Sequence, residues 1–185
     1  MKALIINGSP HSDGHCSRAI SIISSELLGN GIETELRHIK DYKKGGCSAC
    51  GACKSGGGCV LGDLTELSES FRAADALIVA APVYYGSPNG DVISLMDRLF
   101  QSSRFEKRMK VGAAFVTARR GGCTASFDLI NKYFAISQMP IATSSYWNLM
   151  HTGEDPEGES TALTLAKNAA FLMKSIALGK EVIKI

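Results

Sequence analysis

Three stretches of the chain are apolar without interruption. Residues 3–7, 76–81 and 111–117 show no polar alternation. That is the pattern of strands buried on both faces of a parallel sheet. Glu33–His38 alternates instead and reads as a peripheral strand, and 140–144 reads as a short fifth strand. Between these runs, apolar residues recur at helical spacing. Ile20, Ile23 and Leu27 form one set, closed by Gly29, Asn30 and Gly31. Leu64, Leu67 and Phe71 form a second, with Asp63 as its expected N-cap. Val92, Leu95, Met96, Leu99 and Phe100 form a strongly amphipathic helix, an expected interface element as well as a core one. Phe127, Ile130 and Phe134 mark a fourth helix, and Leu163, Ala166, Ala170, Met173 and Ala177 a fifth. Residues 82–89 and 117–122 read as loops and 146–160 as a long polar loop. The tail 179–185 is apolar at alternate positions and matches neither template.

Strands alternating with helices in this way predict an α/β fold. The expected form is a doubly wound, five-stranded parallel sheet of flavodoxin-like order 2-1-3-4-5, with helices on both faces. The length of 185 residues suits a single domain, 1–185. In such sheets ligands bind outside the carboxyl ends of the strands, near the switch point between the first and third. The loops that follow residues 7, 81 and 117 therefore carry the expected chemistry.

Composition narrows the classes. Hydrophobic residues make up 45% and charged residues 21%, ordinary for a globular protein. A net charge of +2 gives no reason to expect nucleic acid or an anionic membrane surface as partner. No apolar run approaches a membrane span. The expected compartment is the cytoplasm, where clustered cysteines read as metal-binding or catalytic.

Such a cluster is present in 43–62. Cys47, Cys50, Cys53 and Cys59 are spaced C-x2-C-x2-C-x5-C among Gly45, Gly46, Gly51, Gly56, Gly57 and Gly58. Consecutive x2 intervals are the compact run of bacterial iron–sulfur sites, and a [4Fe-4S] cluster is the leading reading. Structural zinc usually separates two C-x2-C pairs by a long spacer. Zinc, disulfides and a glycine-rich turn with idle thiols remain as alternatives. Lys43, Lys44 and Lys54 would offset the negative charge of a thiolate-ligated cluster.

The loop 7–17 joins a buried strand to a helix N-terminus, a junction that favours an anion. Ser9, Ser12 and Ser17 add hydroxyl donors, and His11 and His15 add ring nitrogens. The P-loop lysine and the G-x-G-x-x-G fingerprint are both missing, so a phosphate monoester fits better than a nucleoside triphosphate or a dinucleotide. Cys16 reads as a packing residue or a mildly activated thiol. In the second loop, Pro82, Val83, Tyr84, Tyr85, Gly86, Ser87 and Pro88 combine stiff and permissive backbone with aromatic faces, which suits a planar ring. In the third, Arg119, Arg120, Gly121 and Gly122 place guanidinium groups at a strand end, where they would favour a reduced, anionic flavin. Cys123 reads as structural. Tyr146 and Trp147 read either as core aromatics or as a shield for a flavin, including one across a dimer. No nucleophile, general base or carboxylate pair stands out, and no catalytic side chain is expected.

Together these loops resemble the FMN-binding segments of the NAD(P)H-dependent FMN reductases, a flavodoxin-like family. The cysteine run resembles the compact motif of the iron–sulfur flavoproteins within it. The resemblance covers the chain from residue 1 to about 176. It implies FMN, a [4Fe-4S] cluster held by Cys47, Cys50, Cys53 and Cys59, and a homodimer or homotetramer. Ser9, His11, Gly14, His15, Cys16 and Ser17 match the family's phosphate loop. Relatives often carry Arg, Asn and Thr where His11, His15 and Cys16 stand here. Pro82 to Ser87 match the ring loop, and Arg119 to Gly122 the third. The implied function is electron transfer between a soluble carrier such as ferredoxin and FMN, then to a small-molecule acceptor such as a quinone. The alternatives are an NAD(P)H-dependent FMN or quinone reductase without a cluster, and a zinc-bearing redox-sensing module.

Overall fold

The computed structural model describes residues 1–183. Along the described chain run β1 (Lys2–Asn7), α1 (His15–Gly29), β2 (Glu33–His38), α2 (Thr65–Ala73), β3 (Ala76–Tyr84) and β4 (Ser87–Pro88). They are followed by α3 (Gly90–Ser102), β5 (Val111–Ala118), α4 (Cys123–Ile136), β6 (Leu149–His151) and α5 (Pro156–Val182). The sheet order is β2-β1-β3-β5-β6, and β4 pairs only with β3. With β4 set aside, this is the doubly wound order 2-1-3-4-5. Every pairing is parallel except β3 with β4. No described helix is long and apolar enough to cross a membrane.

The uninterrupted apolar strands follow from burial on both faces. Ala3, Ile5, Ala76, Ile78, Ala113 and Phe115 face α1 and α5, whose Ile20, Ile23, Leu165 and Ala169 complete one core. Leu4, Ile6, Leu77, Val79, Ala114 and Val116 face α2, α3 and α4, whose Phe71, Leu99 and Ile130 complete the other. Edge strand β2 lacks such an apolar run, but the expected alternation is not seen in its burial: no residue of it is fully buried, and its Leu36 is exposed.

Four expectations are corrected. The fifth parallel strand is Leu149–His151, not 140–144. Ile141 makes only an isolated bridge to Gly112, and the chain then leaves the sheet. It returns at Asn148, which is wholly buried and whose amide donates to the carbonyls of Ala114 at 3.0 Å and Ala142 at 3.2 Å. That side chain fills in for the interrupted ladder, a role invisible to β-propensity. The segment 146–160 is not one long loop, because α5 starts at Pro156. The Asp155 carboxylate caps it by accepting from Gly158 N–H at 2.9 Å, and proline suits the first turn. Residues 82–89 are not a plain loop. β3 runs on to Tyr84 and turns back through Tyr85 (φ 51°) and Gly86 (φ 81°). Two consecutive positive φ values are what a tight hairpin turn demands. Finally, Asp63 does not cap α2; Leu64 occupies that position. Of the tail, residues 179–182 extend α5, while 184–185 lie outside the described residues.

Candidate functional site

Four loops meet at the carboxyl edge of the sheet. Asn7, at the end of β1, is buried and organises the first. Its Oδ1 accepts from Ser9 N–H at 3.0 Å, and its Nδ2 donates to Ser17 Oγ at 2.9 Å. Ser9 Oγ in turn accepts from His11 N–H at 3.1 Å. The loop wraps the N-terminus of α1, where Gly14 offers no side-chain cap and the first turn has no acid. The first N–H groups of α1 are thus left for an anion.

The first and second loops are tied together. Gly8 N–H donates to Ala80 O at 2.7 Å, and the buried Asn89 amide donates to Gly8 O at 2.9 Å. A side chain at Gly8 would strike Val92 at 2.3 Å, so only glycine permits this approach. The second and third loops touch at Gly122 (φ 92°), where a Cβ would lie 2.6 Å from Gly86 Cα. The loop after β6 joins through His151, whose Nε2 is 3.2 Å from Arg120 O, and through Gly153 N–H, 3.4 Å from His15 Nε2.

Sequence reasoning named most of these residues but not Asn7, Asn89 or the β6 loop. Asn7 closes an apolar strand and Asn89 opens a helix, positions where asparagine passes for punctuation. Cys16 turns inward, and only its backbone remains for a ligand. Its Sγ lies 3.2 Å from Thr117 Oγ1. Burial pushes the thiol up to about 11, although the Thr117 hydrogen bond acts the other way, so it is not an activated thiolate. Cys123 is also buried and its thiol raised by that burial. Arg119 and Arg120 are exposed at the end of β5, and Tyr85 stands fully exposed at the hairpin tip. Tyr146 and Trp147 pack edge to face, centroids 4.5 Å apart, and are exposed rather than part of the core.

The second feature is the segment between β2 and α2. Cys47, Cys50, Cys53 and Cys59 all line one cavity of about 350 Å³. All are free thiols; Cys47 and Cys50 are exposed, Cys59 is half-buried and Cys53 is buried. Among the described residues, no three His, Cys, Asp or Glu side chains converge on a point where a single ion would sit. The loop lies along α3. Lys44 pairs with Asp91, Gly46 neighbours Ser94, Cys53 Sγ is 3.6 Å from Gln101 O, and Arg98 reaches Asp63 and Lys43. Positions 91, 94, 98 and 101 form one stripe at helical spacing. The opposite stripe, Val92, Leu95, Met96 and Leu99, is core. Both faces of α3 are therefore occupied, and its apolar stripe is not a free interface.

The fold and its carboxyl-edge loops define a flavodoxin-like flavin oxidoreductase. The chain matches the model of the NADPH-dependent FMN reductase family over residues 1–154, and it belongs to that family. An iron-sulfur flavoprotein of Methanosarcina thermophila is 31% identical, the alignment covering 98% of this chain and 100% of that one. One of Archaeoglobus fulgidus is 37% identical, with 95% of each chain covered. Among solved structures, a flavodoxin from the domain Archaea superposes with a TM-score of 0.67 at 15% identity, covering 94% of this chain and 99% of that one. At that identity the likeness is one of fold.

Proposed function

We propose that this chain is an FMN-dependent electron-transfer oxidoreductase with a [4Fe-4S] cluster in the cysteine loop. It accepts electrons from a soluble one-electron carrier such as a ferredoxin and delivers them to a small-molecule acceptor. The observation that carries the proposal is the cavity ringed by all four cysteines, on the same domain as the carboxyl-edge loops. Thiolates that each take a different iron stand apart around a cluster, as these do around their cavity. A single zinc would need all four sulfurs at about 2.3 Å from one point.

The residues at the sheet edge fit FMN. The α1 N-terminus has free N–H groups for a phosphate. His15 Nδ1 is buried without a partner, while Nε2 accepts from Gly153; Nδ1 therefore carries the proton and is available as a donor. Asn89 Oδ1 is likewise buried and unpartnered. Such atoms are costly unless a ligand satisfies them. The hairpin tip and Arg119–Gly122 would hold the isoalloxazine ring, whose anionic reduced form Arg119 and Arg120 would favour. When bound, FMN supplies one- and two-electron chemistry and the cluster one-electron transfer. The chain itself orients the groups, excludes water and sets their potentials.

Exposed Tyr146, Trp147 and Phe171 give apolar area for a homodimer or homotetramer. The family description, NADPH-dependent FMN reductase, favours direct reduction by NADPH, and the second reading is that chemistry with an empty cysteine loop. Anaerobically purified protein decides between the two. The leading reading expects FMN, about four irons per chain and faster bleaching by reduced ferredoxin than by NADPH. Stoichiometric FMN, no iron and fast bleaching by NADPH alone would establish the second. Stoichiometric zinc with neither iron nor flavin would support a redox-sensing module instead.

A further inference from the structure

Arg98 is the least expected residue of α3. It is 2% exposed, the one charged side chain among the buried residues of that helix, and lines the cysteine cavity. A buried guanidinium persists only when paired and hydrogen-bonded. Its Nη1 donates to Asp63 Oδ1 at 2.6 Å and its Nη2 to Asp63 Oδ2 at 3.2 Å. Nη2 also donates to Lys43 O at 2.7 Å. Lys43 and Asp63 are the two ends of the cysteine loop, and they bond each other as well: Lys43 N–H donates to Asp63 Oδ2 at 2.7 Å. Lys43 Nζ adds a bond to Leu61 O at 2.6 Å. One side chain on a rigid helix therefore closes the neck of a glycine-rich loop that contains only a short 3-10 turn, Ala52–Ser55. The same guanidinium faces the ligand set. Nη1 is 3.9 Å from Cys59 Sγ, and Nε is buried without a partner.

We infer that Arg98 is the positioning residue of the cysteine loop: it clasps both ends, pre-forms the four-thiol cavity before iron arrives, and presents its positive N–H groups to the sulfur of Cys59. The clasp stands on the geometry of the free loop. Its effect on a bound centre rests on the cluster reading above. Glycines leave 43–62 with large conformational entropy, and four thiols on an open loop would seldom face one another. A neck fixed by the three charge-assisted bonds of Arg98 and the two of Lys43 removes much of that freedom. Positive N–H groups at a thiolate stabilise the more negative, reduced state of an attached centre, and so raise its potential.

The test uses the full chain with Arg98→Met and Arg98→Lys, and Asp63→Asn as an independent break of the same clasp. Hydrogen exchange is followed first in iron-free protein. Arg98→Met and Asp63→Asn should raise exchange at 43–62 about tenfold or more, with β1, β3 and β5 unchanged. Exchange within twofold of the parent in both would overturn the clasp. Anaerobic reconstitution follows. Arg98→Met should load iron more slowly and show a lower reduction potential, whereas Arg98→Lys keeps the charge but loses the fork, and should recover the potential more than the exchange protection. An unchanged potential in Arg98→Met overturns the interaction with Cys59. Should the parent itself take up no iron, the cluster reading falls, while the exchange data still decide the clasp.

Discussion

The cysteines of this chain differ in chemistry because they differ in burial. The Cys16 thiol is pushed up to about 11, and burial raises Cys123 too, so neither is thiolate near neutrality. Cys47 and Cys50 are exposed on the loop. In iron-free protein at pH 8, a small alkylating reagent should modify Cys47 and Cys50 at least about tenfold faster than Cys16 or Cys123. Peptide mass spectrometry over a time course reads this directly. Gly122 is fixed by a different constraint. It sits at φ 92° with Gly86 against it, so Gly122→Ala meets both a disfavoured backbone and a 2.6 Å clash. A loss of about 2 kcal/mol is expected from urea unfolding. The R-R-G-G segment shows in the sequence that a glycine belongs here; which glycine, and why, depends on a hairpin two elements away.

At the scale of elements, the buried strands and apolar helix stripes were legible because burial on both faces writes itself into composition. What stayed hidden was held by single polar side chains. Asn148 patches the broken edge strand, Asp155 starts α5 at a proline, and Asp63 looks like a cap but serves Arg98. Arg98 lies 35 positions from Asp63 and Ala114 34 from Asn148, beyond the reach of a one-dimensional pattern, whereas Asp155 caps a backbone N–H only three residues on, a local signal read as part of a polar loop. The stripe Asp91, Ser94, Arg98 and Gln101 was readable in principle, since four polar positions share one helical face, but solvent explains such a face equally well. Edge strand β2 has its own signature. Burial alone would raise the Glu35 carboxyl, but hydrogen bonds from Lys2, Ser70 and Arg37 hold it down at about 2. A carboxyl lowered in the folded state stabilises above its unfolded pKa of about 4.3 and loses that contribution as pH falls toward 2. Partial exposure screens the pair, so the effect is about 1 kcal/mol. Glu35→Gln should be less stable than the parent at pH 7 and nearly equal to it at pH 2, by urea midpoints at both.

At the scale of the whole molecule, the two sites share α3 without sharing contacts. Its N-terminus begins at Asn89, whose amide holds the first phosphate-side loop through Gly8. Two turns on, Arg98 holds the cysteine loop. The helix between them is anchored in the core by Val92, Leu95 and Leu99, none more than 2% exposed. A helix anchored in this way fixes the relative placement of the sheet-edge loops and the cysteine loop, and each loop bonds different residues of it, so opening one loop is expected to leave the bonds of the other intact. Crossed substitutions test that separation. Asn89→Ala removes the Gly8 bond and should weaken FMN binding about tenfold, the worth of one buried hydrogen bond, with exchange at 43–62 unchanged. Arg98→Met should free 43–62 and leave FMN affinity within about twofold. Fluorescence titration with FMN and hydrogen exchange, measured on both variants and on the double variant, give six readings. Additive effects mean that α3 is a spacer. If Arg98→Met alone costs FMN binding as much as Asn89→Ala does, the helix instead transmits loading of the cysteine loop to the sheet edge, and the two sites are one coupled unit.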